Sequence, residues 1–304
     1  MASRWGRRRG RVRVVSKQKK QARVVGLGLC VRDDIFVVDR VGLDEPRIRY
    51  HEHVTLPGGM VANAVMVAAG EGADAHLLSM VGDDAEGRFL GSALRAHGVS
   101  TRRLVRSRVH GTTTAVVLTE KRTGNRRFIV PDRRVMEREA PDFDLSILRP
   151  GTVLMIDGHF PKQALRALRR ARESGVPVVG DFSDARPAFV RLLPHVDYPI
   201  LPLDFVRGYG EGNVRRTLRA LHQRFGGTPV VTQGEKGATA LIDGEYLVFS
   251  PPQTRVVDTT GAGDAFHGAF AAALAKGASV PKALRRASRR AAEACRHLGG
   301  CPPL

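Results

Sequence analysis

Val256-Val257-Asp258-Thr259-Thr260-Gly261-Ala262-Gly263-Asp264-Ala265-Phe266-His267-Gly268-Ala269-Phe270 is the stretch around which the rest of this chain is organised. Two valines run into a turn of Thr and Gly, and the turn opens directly into a helix. Phe266, Ala269, Phe270, Ala273 and Leu274 fall at the i, i+3, i+4, i+7, i+8 spacing of a helix with one buried face. Gly268, Ala271 and Ala272 on the opposite side offer little that resists burial, and Gly277 is a stop signal. Ahead of the helix, Gly261 and Gly263 leave backbone N–H groups bare beside a helix N-terminus. Such a place attracts anions, phosphate above all. A carboxylate there is repelled by the anion, so Asp264 reads as a base. It would take a proton while the N–H groups around Gly261, Ala262 and Gly263 hold the developing charge. The plainer alternative is a helix cap, for which Asp is well suited.

Working outward, 304 residues at 42% hydrophobic content suffice for a sizeable α/β core. No apolar run approaches the roughly 18 residues of a membrane span. The Arg-rich start lacks the apolar centre of a secretory signal. Cys30, Cys295 and Cys301 are too few and too scattered for a disulfide framework or a zinc site. The expectation is a reduced, cytoplasmic protein without membrane contact. The net charge of +19 is unevenly spread: residues 1–23 hold ten Arg and Lys and no acid. Residues 1–22 therefore read as a basic, disordered tail, either a solvated extension or an electrostatic hold on nucleic acid.

Between the tail and the turn, strands and helices alternate. Arg23 to Val31 reads as a buried first strand. Its Gly26-Leu27-Gly28 pair is not a dinucleotide fingerprint, because the required third glycine is replaced by Val31. Ile35 to Val41 and Arg47 to Val54 read as strands, and Thr112 to Glu120 with Arg126 to Val130 as a hairpin around Thr123-Gly124-Asn125. Gly58-Gly59 opens a helix striped by Val61, Ala64, Val65, Ala68 and Ala69, with Asn63 one turn in. From Thr152 the order strand, helix, strand repeats up to Pro229–Thr232. That repetition argues for a parallel sheet covered on both faces. Ala238 to Ile242 and Tyr246 to Phe249 form a closing hairpin at Asp243-Gly244. Arg108, Arg126, Arg127, Arg133 and Arg134 cluster in sequence, either as an exposed basic face or as a contact for an acidic group on a substrate. Because adjacent strand residues point to opposite faces, at most one of Arg126 and Arg127 faces a pocket.

The 256–270 stretch resembles the second signature of the ribokinase-like, or PfkB-type, carbohydrate kinases. Gly58-Gly59-x-x-x-Asn63 resembles the first. Thr232-x-Gly234-x-x-Gly237 is similar to the strand end where the ATP phosphates lie in that family, and the likeness extends over roughly residues 23–300. It implies a ribokinase-like three-layer α/β fold over 23–304, a mostly parallel central sheet flanked by helices, with lid strands within 35–56 and 109–131. It implies ATP-dependent phosphorylation of a hydroxyl on a sugar or sugar acid, with Mg2+, and with Asp264 as base above the 261–264 anion hole. Asp33, Gly58, Gly59 and Asn63 would bind the sugar, with Arg127 for an acidic group. Thr232, Gly234, Gly237, Thr260 and Ser288 would serve the nucleotide, and Asp258 a monovalent cation such as K+. Relatives also suggest a homodimer through the lid. The family's Asn-x-x-Glu, which organises magnesium, is replaced by Leu203 and Val206. A branch that includes sulfofructose kinase also lacks it and shares the Thr-Gln-Gly and Gly-Asp-x-Phe-His-Gly-Ala strings. The rival readings are a nucleoside kinase of the same fold, which would want an aromatic platform near the lid, and a non-catalytic nucleic-acid-binding protein using the basic tail.

Overall fold

The structure is a computed structural model and describes residues 22–42, 46–210 and 212–303. Apart from Ala22, the expected tail lies outside these residues. In chain order the strands are β1 (Arg23–Leu27), β2 (Val31–Val38), β3 (Tyr50–Gly58), β4 (Asp74–Gly82), β5 (Leu104–Ser107), β6 (Thr114–Glu120), β7 (Arg126–Ile129), β8 (Thr152–Ile156), β9 (Val178–Asp181), β10 (Tyr198–Pro202), β11 (Val230–Thr232), β12 (Ala238–Ile242) and β13 (Glu245–Phe249). The helices are α1 (Met60–Gly70), α2 (Ala85–Ala96), α3 (Arg134–Glu139), α4 (Pro161–Glu173), α5 (Pro187–Val190), α6 (Leu203–Tyr209), α7 (Val214–Phe225), α8 (Ala262–Ala275) and α9 (Val280–Ala294).

Nine strands form the body in the order β13-β12-β11-β10-β9-β8-β1-β4-β5. The inner strands are parallel: Leu27 lies between Leu78 and Ile156 in register. Their residues are buried on both faces, which is why these strands read as unbroken apolar runs. One apolar layer gathers α1, α2, α8 and α9, and the other gathers α3 to α7. At one edge β12 and β13 run antiparallel. They are joined at Asp243 and Gly244, whose φ of 50° and 84° suit a primed hairpin turn.

The small sheet is ordered β3-β2-β6-β7 and hangs over the carboxyl ends of the parallel strands. Its limits correct the expected ones. The first strand ends at Leu27 rather than Val31, and Val31 already belongs to β2. The apolar run Leu27 to Val31 conceals this break, because the chain stays buried while it crosses from one sheet to the other. Asp33 therefore sits on the lid, and β3 runs on to Gly58.

Helices α1 and α8 touch backbone to backbone. A Cβ on Gly268 would lie 2.2 Å from the carbonyl oxygen of Ala64. This close approach brings Asn63 and Asp264, each near the start of its helix, to one spot.

Candidate active site

Asp264 lies in the first turn of α8, capped by Gly261 in the left-handed region at φ 73°. A side chain at Gly261 would strike the backbone of Gly300, which packs over the turn, whereas a Cβ on Gly263 would meet nothing within 4 Å. Ala262 N–H donates to the Thr259 carbonyl at 3.3 Å, while the N–H groups of Gly261, Gly263 and Asp264 have no backbone acceptor among the described residues. Asn63 Nδ2 donates to Asp264 Oδ2 at 2.8 Å. Burial, and then the charge of Asp181, push the Asp264 carboxyl up to about 8, with the Asn63 hydrogen bond opposing.

Asp181, at the end of β9, is itself raised to about 8 by burial and then by Asp157. His267 Nδ1 lies 3.5 Å from Asp181 Oδ2. Its two ring nitrogens meet the carbonyls of Gly263 at 2.8 Å and Ile200 at 3.2 Å. Burial holds its pKa below the usual histidine value. Asp157, at the end of β8, accepts from the N–H groups of Leu29 and His159 and fills the space that a side chain on Gly28 would need. His159 Nδ1 pairs with Glu137 of α3 at 2.7 Å. Burial would lower that imidazole, but Asp157 and Glu137 hold it above its ordinary value. These acids were not singled out in the sequence. The available signal was position, because ligands in open α/β sheets gather beyond the carboxyl ends of the strands.

From the lid, Asp33 points into the space left by Gly58, where an added Cβ would lie 2.0 Å from its carboxylate. Burial, and then Asp34, raise the Asp33 carboxyl to about 7. Gly59, at φ 102°, passes so close to Leu29 that a Cβ would lie 2.4 Å from that carbonyl oxygen. The lid arginines separate. Arg126 crosses the cleft, its Nη1 donating to Thr260 Oγ1 at 2.7 Å and its Nη2 to Thr259 Oγ1 at 3.4 Å. Arg127, one residue on, lies on the other face and is exposed. Arg126 rather than Arg127 is therefore the inward residue. Arg108 and Arg134 are exposed, and Arg133 lies 3.7 Å from Glu137. By the same alternation Phe128, 53% exposed, shares the inner face with Arg126.

On the nucleotide side, Thr232 ends β11. Gly234 (φ 59°) has nothing near its missing side chain, and Gly237 (φ 79°) presses on the carbonyl of Phe249. The loop is open at Gly234, while the N–H of Gly237 is given to the Gly234 carbonyl at 2.9 Å. Ser288 departs from expectation: it is buried, and its hydroxyl is spent on the carbonyl of Phe249, 3.3 Å away. Asp258 is also internally committed. It accepts from the N–H and hydroxyl of Thr260, and its second oxygen accepts from Gly299 N–H at 2.8 Å, so its visible work is bracing the turn. Leu203 and Val206 fall on α6, with Val206 fully buried. Among the described residues no group of three His, Cys, Asp or Glu could hold a metal ion, and no helix is long and apolar enough to cross a membrane.

A profile of pfkB family carbohydrate kinases matches residues 21–304. The chain belongs to this family. Ketohexokinase of Mus musculus is 27% identical over 290 residues, covering 91% of this chain and 97% of that one. Ribokinase of Bacillus subtilis is 25% identical over 272 residues, covering 87% and 90%. The structure of Arabidopsis thaliana ribokinase complexed with ribose and ATP superposes with a TM-score of 0.77 at 26% identity, covering 91% and 93%. The fold is ribokinase-like, and the protein is an ATP-dependent carbohydrate kinase.

Proposed function

We propose that this pfkB kinase transfers the γ-phosphoryl group of ATP to a hydroxyl of a sugar, with Asp264 as the base. The observation that carries this reading is the half-buried Asp264 carboxylate beside the N–H groups of Gly261, Gly263 and Asp264, which no backbone carbonyl among the described residues takes. Asp264 takes the proton of the attacking hydroxyl, and those N–H groups hold the charge on the phosphoryl oxygens. Asn63 keeps the carboxylate in place. Asp33 binds sugar hydroxyls from the lid side, with Gly58 and Gly59 letting backbone approach. Thr232, Gly234 and Gly237 seat the nucleotide. Arg126, on the hydroxyl of Thr260, bears on the phosphoryl group rather than on the sugar. Magnesium, when bound, neutralises the β and γ phosphates. A monovalent cation beside Asp258 would need that carboxylate to release a partner.

The acidic-substrate reading loses support from the geometry. Of the five arginines, three are exposed, one faces Glu137, and one holds the catalytic turn. The pocket around them is rich in carboxylates, so a neutral sugar fits better than a sugar acid. The strings shared with the sulfofructose kinase branch lie at Thr232–Gly234 and Gly263–Ala269, on the phosphate side, and so do not name the sugar. Phe128 on the inner lid face favours a second reading, a substrate with a flat ring such as a nucleoside. The lid's outer face, with Phe36, Tyr50 and Ile129, is the surface on which a homodimer would form. Asp264→Asn tests the central assignment. Turnover should fall about 10² to 10⁴-fold with ATP binding kept. A variant with more than a tenth of wild-type turnover would remove Asp264 from the role.

A further inference from the structure

Outside the cleft, helices α4 and α7 lie on the same face of the sheet, on either side of the 3-10 turn Leu193–His195. Both pack on that turn, and both line a cavity of about 440 Å³ at the edge where the strands begin. The outward positions of α4 are Lys162, Arg166, Arg169, Arg170 and Arg172, all exposed. Those of α7 include Arg215, Arg216, Arg219 and Arg224, also exposed. Against these stand Glu173 on α4 and no acid at all on α7.

Helices α9 and α4 are equally rich in arginine, and on each of them only part of it is neutralised. On α9, Arg286 is held by both oxygens of Glu71 at 2.8 and 2.6 Å, and Arg290 reaches Glu293 at 3.4 Å. On α4, Arg166 pairs with Asp142 and Arg170 lies 3.8 Å from Glu173, while Arg169 and Arg172 make no ion pair among the described residues. Helix dipoles account for cations in the last turns, such as Arg172 and Arg224, but not for Arg215 in the first turn of α7, where a cation is disfavoured. Arg215 and Arg219 lie over the ring of Tyr246, at 5.3 and 5.9 Å, which fixes them outward. The aromatic rings on this face, Phe225 and Tyr246, are half-buried beneath arginines. The face therefore offers guanidinium forks to phosphates and no platform to bases. Chain topology adds to it. Arg23 pairs with Thr152 at the start of β8, so residues 1–22, with nine more Arg and Lys, join the fold at the edge where α4 ends.

We propose that the α4–α7 face binds the phosphate backbone of duplex nucleic acid, without base readout and apart from the kinase cleft. The test measures the affinity of the full-length protein for a random-sequence DNA duplex between about 50 and 200 mM salt, beside an Arg169→Gln/Arg172→Gln/Arg219→Gln/Arg224→Gln variant. Wild type should show a linear log–log salt dependence. The variant's slope should be shallower by about 3 to 4, at about 0.9 per lost phosphate contact, with kinase turnover unchanged. Should the fourfold variant fold poorly, Arg169→Gln/Arg172→Gln alone should lose about 2 from the slope. The proposal is overturned if wild type does not bind at the lower salt, or if the variants keep the wild-type affinity and slope. It is equally overturned if vesicles of phosphatidylserine and phosphatidylcholine bind more tightly than the duplex.

Discussion

The floor of the cleft and its lid are both supplied with charged side chains, and they use them differently. On the floor, Asp157, Asp181 and Asp264 stand where a strand stops or a helix starts, and the surrounding sheet and helix layers bury the first two and half-bury the third. Topology decides where such a residue points, so each carboxylate converges on the same space. In the lid the charges lie inside a half-exposed sheet, where direction alternates with every residue. Arg126 reaches Thr260 in the turn before α8 while Arg127 faces outward. A cluster of arginines in sequence therefore becomes one functional contact and several solvated side chains.

The floor depends on the contact between α1 and α8, and breaking that contact should have the largest effect. Gly268→Ala places a methyl 2.2 Å from the Ala64 carbonyl, so the helices must separate. Overpacking of this kind costs about 1–3 kcal/mol, and it moves Asn63 away from Asp264. Thermal melting and turnover should fall together. A variant with wild-type turnover and melting temperature would show that the close approach is not needed.

The lid side of the comparison is sharpened by a pair of variants. Arg126→Ala removes a charge-assisted contact worth about 1.5–3 kcal/mol, so kcat/KM should drop roughly tenfold to a hundredfold. Arg127→Ala should stay within about twofold, as exposed substitutions do. Equal effects of the two replacements on kcat/KM would mean that strand alternation does not sort them.

Much of the floor was legible in the residues. The turn at 256–270, the glycines at 58 and 59, and the alternation after Thr152 each have a local cause: a bare backbone, a helix stripe, a buried run. The hidden parts depended on distance. That Asp258 spends its carboxylate on Thr260 and Gly299, and Ser288 its hydroxyl on Phe249, follows from contacts across 41 and 39 residues. The switch of sheets at Leu29 to Val31 was masked by unbroken hydrophobicity. Asp181 and Asp157 have no motif, only a place at strand ends.

Activity against pH tests whether the floor acids feel one another. In the proposed role of base Asp264 must be ionised, and burial with Asp181 raises it to about 8. Turnover should therefore climb as pH rises through about 8. Asp181→Asn removes a repelling charge, lowers the Asp264 pKa, and should move the climb in kcat/KM to lower pH. If that limb stays where it is, the two carboxyls are not coupled.

The smallest effect is on stability, and it compares Asp33 on the lid with its neighbour Asp34. Asp33 is raised from 3.8 to about 7 by burial and then by Asp34. The folded chain holds this proton at pH values where the unfolded chain has lost it, so Asp33 makes stability fall as pH rises from about 4 to about 7. Asp34 behaves oppositely: burial would raise it, but Thr55, Arg32 and His53 hold it below 3.8. Its contribution is present above that value and is lost only in stronger acid. Asp33→Asn removes the first dependence and leaves the second. The melting temperature of Asp33→Asn relative to wild type should therefore rise between pH 5 and pH 7 by a degree or a few, since about 1 kcal/mol shifts a domain this large by only about 2–4 °C. A difference that stays constant across that range would show that Asp33 is ionised in the free protein, and that the lid offers the sugar a charged partner from the start.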